Sequence, residues 1–330
     1  SGYFYAQGVD VLPAAYIAQV YGYARKAHAL PAEVKRRFAR GSGSGAYSGP
    51  DVGQPEVAYE LGSVSTVRAW DYSRQAFTLG SGRRDAGARE ERYPDGDLIQ
   101  PPFAEFLEDL YERQNVLARG LMVAFAEVLG LPCNTFLDMF EGEDGGGDFG
   151  TIRLLHYPGN AALSAEEAAA ATTGISPHTD FEVCTLMHQD APGLQFIPTG
   201  RRRGAGDPWI DAPVRPGEFV VIVGDALERF TNGVLRATPH RVGITQAARS
   251  SIVRFNAVAA ETVIRPLPQF VSEDRPARYS PVTMKTHSET TMRNLALGVG
   301  AWDGEKQEST TASYLYVDGV DHRLARGRAA

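Results

Sequence analysis

The sequence predicts a mainly β protein with flanking helices, on three observations. From Thr151 onward, short β-like segments alternate with turn residues. Before them, residues 103–129 carry a long apolar repeat at helical spacing. Between 41 and 100 the chain is rich in Gly, Ser and Arg and has little periodicity. Closely spaced short strands suit a sandwich, a jelly roll or a barrel. At 330 residues the chain is long enough to bury a sizeable core, and an all-β barrel of this size can be one domain. We therefore expect a single domain with a helical and irregular N-terminal part (1–150), a β core (151–260), and a C-terminal helix and tail (261–330).

The elements follow in order. Gly2-Tyr3-Phe4-Tyr5-Ala6 is short and aromatic and reads as a strand. Leu12-Pro13 opens a helix over 14–29, with Val20, Tyr23 and Ala27 on one face. Leu30-Pro31-Ala32-Glu33 restarts a helix with proline in its first turn. Residues 41–100 read as an irregular excursion with short strands that covers a pocket mouth. In 103–129, Phe103, Phe106, Leu107, Leu110, Leu117, Leu121 and Val128 form the apolar face, and Gly130 is the stop. A shorter helix is expected at 133–140, then an acidic, glycine-rich loop at 141–150.

The strand candidates are 151–157, 184–188, 194–198, 209–211, 219–223, 240–242 and 251–257. Turn signals between them include Pro192-Gly193, Pro216-Gly217, Gly224-Asp225 and Asn232-Gly233. The alanine-rich 161–171 reads as a helical insert. Ser280-Pro281 reads as the N-cap and first residue of a helix to about residue 297. The tail beyond Gly298 is expected to be loose.

Composition narrows the function classes. A formal charge of −7 argues against a nucleic-acid partner, which wants a basic face. No apolar run approaches the ~18 residues of a membrane span. Cys133 and Cys184 are too few for a disulfide framework, which points to a reducing, cytoplasmic setting. A monomer acting on a small molecule is the expected form.

The chemistry concentrates in 176–256. His178-Thr179-Asp180 places an imidazole and a carboxylate two residues apart, and on an extended backbone such residues project to one face. His240 heads a β-like segment that can bring a second imidazole to them. Two imidazoles and one carboxylate on one face of a metal, with the other face open, is a non-haem Fe(II) arrangement, though ligand type alone suits several divalent metals. Arg249-x-Ser251 adds a bidentate cation and a hydroxyl on one face of a strand, a fit for the far carboxylate of a dicarboxylate. His28, His188, His287 and His322 lack such company and read as surface or core residues, and for His156 a structural role is favoured.

With these residues in place, the chain resembles the isopenicillin N synthase-like family of Fe(II)/2-oxoglutarate oxygenases. The resemblance runs through Gly2-Tyr3-Phe4-Tyr5, Leu30-Pro31-Ala32-Glu33-Val34-Lys35, Arg153-Leu154-Leu155-His156-Tyr157-Pro158, His178-Thr179-Asp180-Phe181, Leu194-Gln195-Phe196 and Pro276-Ala277-Arg278-Tyr279. It implies a double-stranded β-helix, the distorted jelly roll, as the core. It implies Fe(II) on His178, Asp180 and His240, with 2-oxoglutarate held by Arg249, Ser251 and a hydroxyl contact from Tyr157. It further implies an enzyme of biosynthesis that oxidises a C–H bond of a specialised metabolite or amino-acid-like molecule, turning 2-oxoglutarate and O2 into succinate and CO2.

Arg153, Phe255 and Arg293 are the candidate substrate contacts, although for Arg153 a buried structural pair is an equal alternative. Leu155 and His156 depart from the family's usual Asn and Tyr. The loop 201–206, with its three arginines, enlarges a hairpin that is short in many members and reads as a solvated tip. Two other functions stay open: a 2-oxoglutarate-independent Fe(II) oxidase of the isopenicillin N synthase type, and a non-catalytic binding protein on the same fold.

Overall fold

The computed structural model describes residues 2–40, 45–56, 63–74, 92–142, 147, 149–197 and 209–296, and four two-residue strands at 302–303, 308–309, 316–317 and 320–321. The elements that build the site are, in chain order, β1 (Tyr3–Ala6), α1 (Ala14–His28), α2 (Ala32–Arg36), β2 (Tyr47–Ser48), β3 (Arg68–Tyr72), α3 (Phe103–Val128), α4 (Thr135–Glu141) and β4 (Thr151–Tyr157). They continue with α5 (Ala165–Ala170), β5 (Ile175–His178), β6 (Cys184–Gln189), β7 (Leu194–Phe196), β8 (Ile210–Asp211), β9 (Phe219–Val223), α6 (Asp225–Phe230), β10 (His240–Val242), β11 (Arg249–Asn256), β12 (Val263–Ile264), β13 (Val282–Thr283) and α7 (Met284–Ala296).

Two antiparallel sheets form the jelly roll. The major sheet has the order β1-β9-β6-β11-β4-β3-β2, and the minor sheet has the order β5-β10-β7-β8. Strand alternation divides the major sheet's side chains into two sets. Trp70, Tyr72, Ile152, Leu154, Cys184, Leu186, Phe219, Val221 and Ile252 pack outward with α1 and α3 residues such as Val20, Ala27, Leu107 and Leu110. Their neighbours Ala69, Leu155, Tyr157, Met187, Val220, Ile222 and Val253 turn inward, to meet Ile175, Leu194, Phe196 and Val242 of the minor sheet. The layers are thus helices, major sheet, minor sheet, and the space between the sheets is where a site can form. Each fully buried aliphatic side chain here is worth roughly 1.5–3 kcal/mol, and the register of β4 against β11 and β3 fixes which chains share that space.

Most expected elements form, and the differences have physical causes. The long helix ends at Val128, with Gly130 at φ +69°, a conformation glycine adopts without steric cost. Val128 itself, expected on the apolar face, is 83% exposed, because in the last turn Phe125, Ala126 and Leu129 form the side that meets the core. The alanine-rich insert is short, Ala165–Ala170, and starts at a capping box of Ser164 and Glu167. The C-terminal helix does not begin at Ser280-Pro281. Pro281 leads into β13, which pairs with β12, and the helix starts at Met284, where Thr283 Oγ1 accepts from the Thr286 N–H at 3.2 Å. The strands β2, β3 and β5 and the helix α6 were not foreseen individually. The loop 201–206, residues 75–91, His322 and the tail apart from its short strands lie outside the described residues.

Candidate metal centre

His178 closes β5, and His240 opens β10 directly opposite it in the antiparallel register, so the pairing of two strands brings the imidazoles together. Their ring centroids are 4.3 Å apart. Asp180 lies past the end of β5, in the turn toward β6, rather than on extended strand as the spacing suggested. That turn still delivers its carboxylate. Asp180 Oδ1 is 3.6 Å from His178 Nε2, and Oδ2 is 3.6 Å from His240 Nε2. One ligand atom from each residue fits within 4.8 Å of the others, and all three residues are buried.

The backbone sets the imidazole tautomers. His178 Nδ1 donates to the Ser176 carbonyl at 2.8 Å, and His240 Nδ1 donates to the Thr238 carbonyl at 3.0 Å. A carbonyl only accepts, so each Nδ1 bears the proton and each Nε2 lone pair faces Asp180. Burial, then the neighbouring His240, lowers the His178 pKa to about 4, which keeps that ring neutral and able to ligate. Thr185 Oγ1 donates to Asp180 Oδ2 at 2.5 Å and orients the carboxylate. Gly224 is a close approach: a Cβ there would lie 2.2 Å from the Glu182 carbonyl oxygen, against the turn that carries Asp180.

Deeper between the sheets, the inner face of β11 presents Arg249 and Ser251. Arg249 is 1% exposed, and its guanidinium stacks over the Tyr157 ring at 4.6 Å. Its Nη2 donates to Gln189 Oε1 at 3.1 Å, while Nη1 and Ser251 Oγ are buried without a partner among the described residues. Two orphaned donors on one strand face are costly unless something fills them. A carboxylate meets that need, so donor set and orphaned atoms together fit a divalent metal and a dicarboxylate. Fe(II) with 2-oxoglutarate is such a combination, and the residues present fit it.

Of the candidate substrate contacts, Phe255 is on the inner face of β11 opposite Thr185 and Thr151, half-buried against the inner cluster. Arg153 is inward on β4 but bound on two sides: its Nε donates to Asp71 Oδ1 at 2.7 Å and its Nη2 to Glu56 Oε2 at 2.5 Å. The side chain of Arg293 lies outside the described ones. His156 turns outward toward His28 and bonds Ser250 Oγ, and His28, His188 and His287 are buried with partners of their own.

Sequence reasoning missed Thr185, Gln189, Glu56, Asp71 and Glu182. Thr185 and Gln189 share the inward parity of β6 with Met187, so the alternation offered a signal. Glu56 lies in an irregular segment and gave none. Burial raises the Glu56 carboxyl, but Arg153 and then Arg40 outweigh it and hold the pKa at about 2. Burial, then the nearby Asp180 charge, pushes Glu182 up to about 8.

The 2OG-Fe(II) oxygenase superfamily model matches residues 150–257, the stretch that holds every one of the metal and Arg-x-Ser residues above. The chain belongs to the Fe(II)/2-oxoglutarate oxygenases. It is 29% identical over 286 residues to the proline hydroxylase buaE of Petromyces alliaceus, covering 81% of each chain. It is 33% identical over 170 residues to the homoarginine-6-hydroxylase 2-ODD-C23 of Glycine max, covering 51% of this oxygenase and 48% of the relative, so the match spans about half the length of that protein. Among solved structures, a 2OG-Fe(II) oxygenase family protein from Caulobacter crescentus superposes with TM-score 0.68 at 24% identity, over 89% of this chain and 90% of that one. The oxygenase is a 2-oxoglutarate-dependent dioxygenase whose family uses Fe(II), 2-oxoglutarate and O2. Among the described residues, no helix is long and apolar enough to cross a membrane.

Proposed function

We propose that this oxygenase oxidises an unactivated C–H bond of an amino-acid-like or specialised-metabolite small molecule, with 2-oxoglutarate and O2 going to succinate and CO2. In this reading His178, Asp180 and His240 hold Fe(II). Arg249, Ser251 and Tyr157 hold the far carboxylate of 2-oxoglutarate. The observation that carries it is the pair of buried, unpartnered donors, Arg249 Nη1 and Ser251 Oγ, on one face of β11. The names of two relatives, a proline hydroxylase and a homoarginine-6-hydroxylase, support the amino-acid-like class.

When bound, the metal supplies O2 activation coupled to decarboxylation of the cosubstrate. The chain's own residues bind, orient and exclude water. Each histidine points a fixed lone pair, Thr185 holds the Asp180 carboxylate, and the apolar walls of Leu155, Met187, Val253 and Phe196 keep the inter-sheet space dry. Arg249 neutralises one end of the cosubstrate and fixes its register, which leaves the Phe255 and Arg153 level for substrate. We read the chain as one oxygenase domain that works as a monomer in a reducing, cytoplasmic setting, and the free Cys133 and Cys184 support that setting.

The test is anaerobic addition of Fe(II) and 2-oxoglutarate, followed by succinate release over a panel of amino acids, terpenoids and phenolics. A visible charge-transfer band and substrate-coupled succinate are expected. Oxidised product without succinate would replace this reading with a 2-oxoglutarate-independent oxidase, and no band would replace it with a binding protein.

A further inference from the structure

We propose that the substrate carries a protonated nitrogen, an ammonium or guanidinium, and that Glu56 and Asp71 bind it in the seat that Arg40 takes in this structure. The inference rests on the oxygenase reading above and deepens it.

Strand register places the seat. Leu155 of β4 pairs with Ser251, on the cosubstrate side, and Arg153 is one inward step further along, paired with Val253 on one side and Asp71 on the other. Arg153 therefore lies beyond the cosubstrate's far end, at the level left for substrate. It does not offer a free cation. It anchors two carboxylates, Asp71 and Glu56, whose side chains are 9% and 3% exposed. Two buried carboxylates on one buried arginine leave one negative charge uncompensated.

Arg40 supplies the missing charge from outside. Its side chain is 36% exposed, it pairs with Asp71 Oδ2, and its Nη1 stands 3.8 Å from Glu56 Oε1. A group entering this seat displaces a guanidinium from two carboxylates. An uncharged ligand would leave that negative charge buried and unpaired, and an anion would add to it, so the site selects a cation.

Glu182 adds a buried polar group rather than a further negative charge. Its Oε2 is buried with no partner among the described residues, and its carboxyl lies within the fields of both Asp180 and Arg153. The charged seat is therefore Glu56 and Asp71, two buried carboxylates joined through Arg153 and Arg40. Arg153 is a positioning residue that holds both in place.

The test uses the full chain with Fe(II) and 2-oxoglutarate, anaerobically, and follows the shift of the visible band on titration. The probes are Nα-acetyl-L-arginine against Nα-acetyl-L-citrulline and L-proline against N-acetyl-L-proline, pairs in which only the first member carries a cationic nitrogen. At least one cationic probe should shift the band and bind at least about tenfold more tightly than its partner without the cationic nitrogen. Glu56→Gln and Asp71→Asn should each weaken that probe at least about tenfold while the band before titration is unchanged. Arg40→Ala, which removes the competing guanidinium, should tighten it severalfold.

A normal band that no cationic probe moves overturns the inference alone. So does a partner without the cationic nitrogen that binds within about twofold of its cationic counterpart, or affinity unchanged within about twofold in both carboxylate variants. Absence of the band before any probe is added defeats the oxygenase reading instead.

Discussion

His178 and His240 are direct cross-strand partners in the antiparallel pairing of β5 and β10, and each donates Nδ1–H to the carbonyl two residues before it. The same two-residue relationship recurs on both strands. Each imidazole is thus aimed by a backbone carbonyl, whereas the third candidate ligand, Asp180, sits in a turn and accepts from a side chain, Thr185.

That asymmetry makes Thr185 the sensitive point. Thr185→Val keeps the shape and removes the donor to Asp180 Oδ2. Fe(II) affinity, read by anaerobic titration, should fall about 10–100-fold, with the thermal midpoint little changed. Affinity equal to the parent protein would show that the turn alone fixes the carboxylate.

Gly224 should behave as part of the same turn. Gly224→Ala puts a Cβ against the Glu182 and Asp180 carbonyl oxygens, which are backbone atoms that cannot swing aside. The turn must move, so turnover should drop more than 2-oxoglutarate affinity does. Isothermal titration with 2-oxoglutarate beside a succinate assay separates the two effects.

Arg249 and Ser251 predict a graded loss. Removing a buried, charge-assisted fork by Arg249→Ala should raise the KM for 2-oxoglutarate about 100-fold or more, while Ser251→Ala should raise it about fivefold. Arg249→Lys should recover only part of the loss, because a point charge cannot reproduce the fork. Succinate release at varied 2-oxoglutarate reads all three variants, and equal effects of the serine and arginine changes would contradict the assignment.

His287 predicts a pH effect on stability. It is wholly buried, donates Nε2–H to the Phe181 carbonyl at 3.1 Å, and has a pKa lowered to about 3, first by burial and then by Arg229. The unfolded ring protonates near pH 6.5 and the folded one does not. The folded state is therefore favoured above that pH and loses about 1.4 kcal/mol per pH unit through this group as pH falls from ~6.5 toward 3. His287→Gln should flatten the acid limb of a denaturation series by one proton's worth, and an unchanged slope would show that the ring charges in place.

The sequence carried much of this. The short strands at 151–157 and 219–223 were readable because turn residues bound them, and the repeat in 103–128 because that helix packs one face against one layer. His178, Asp180, His240 and Arg249-x-Ser251 were readable because spacing and residue type together constrain chemistry. The rest depended on contacts between distant segments. Glu56 meets Arg153 across 97 positions, and Ser250 meets His156 across 94, which no local pattern encodes. The start of the last helix misread for a related reason: Ser280-Pro281 is a good local cap, but pairing of β13 with β12 claimed the next residues for a strand. Val128 sits at the edge of the apolar stripe, and the last turn presents Phe125, Ala126 and Leu129 to the core instead.

The two ends of the inter-sheet space are also built from different materials. At the histidines, orientation comes from peptide carbonyls, which every amino-acid replacement leaves in place. Around Arg153 it comes from Glu56, Asp71 and Arg40, each replaceable by a single codon change. On the proposed reading, variation at residues 40, 56, 71 and 255 would rewrite which molecule is admitted while the histidines' carbonyl supports stay in place, whereas Arg153 has to be kept because its loss would strand two buried carboxylates.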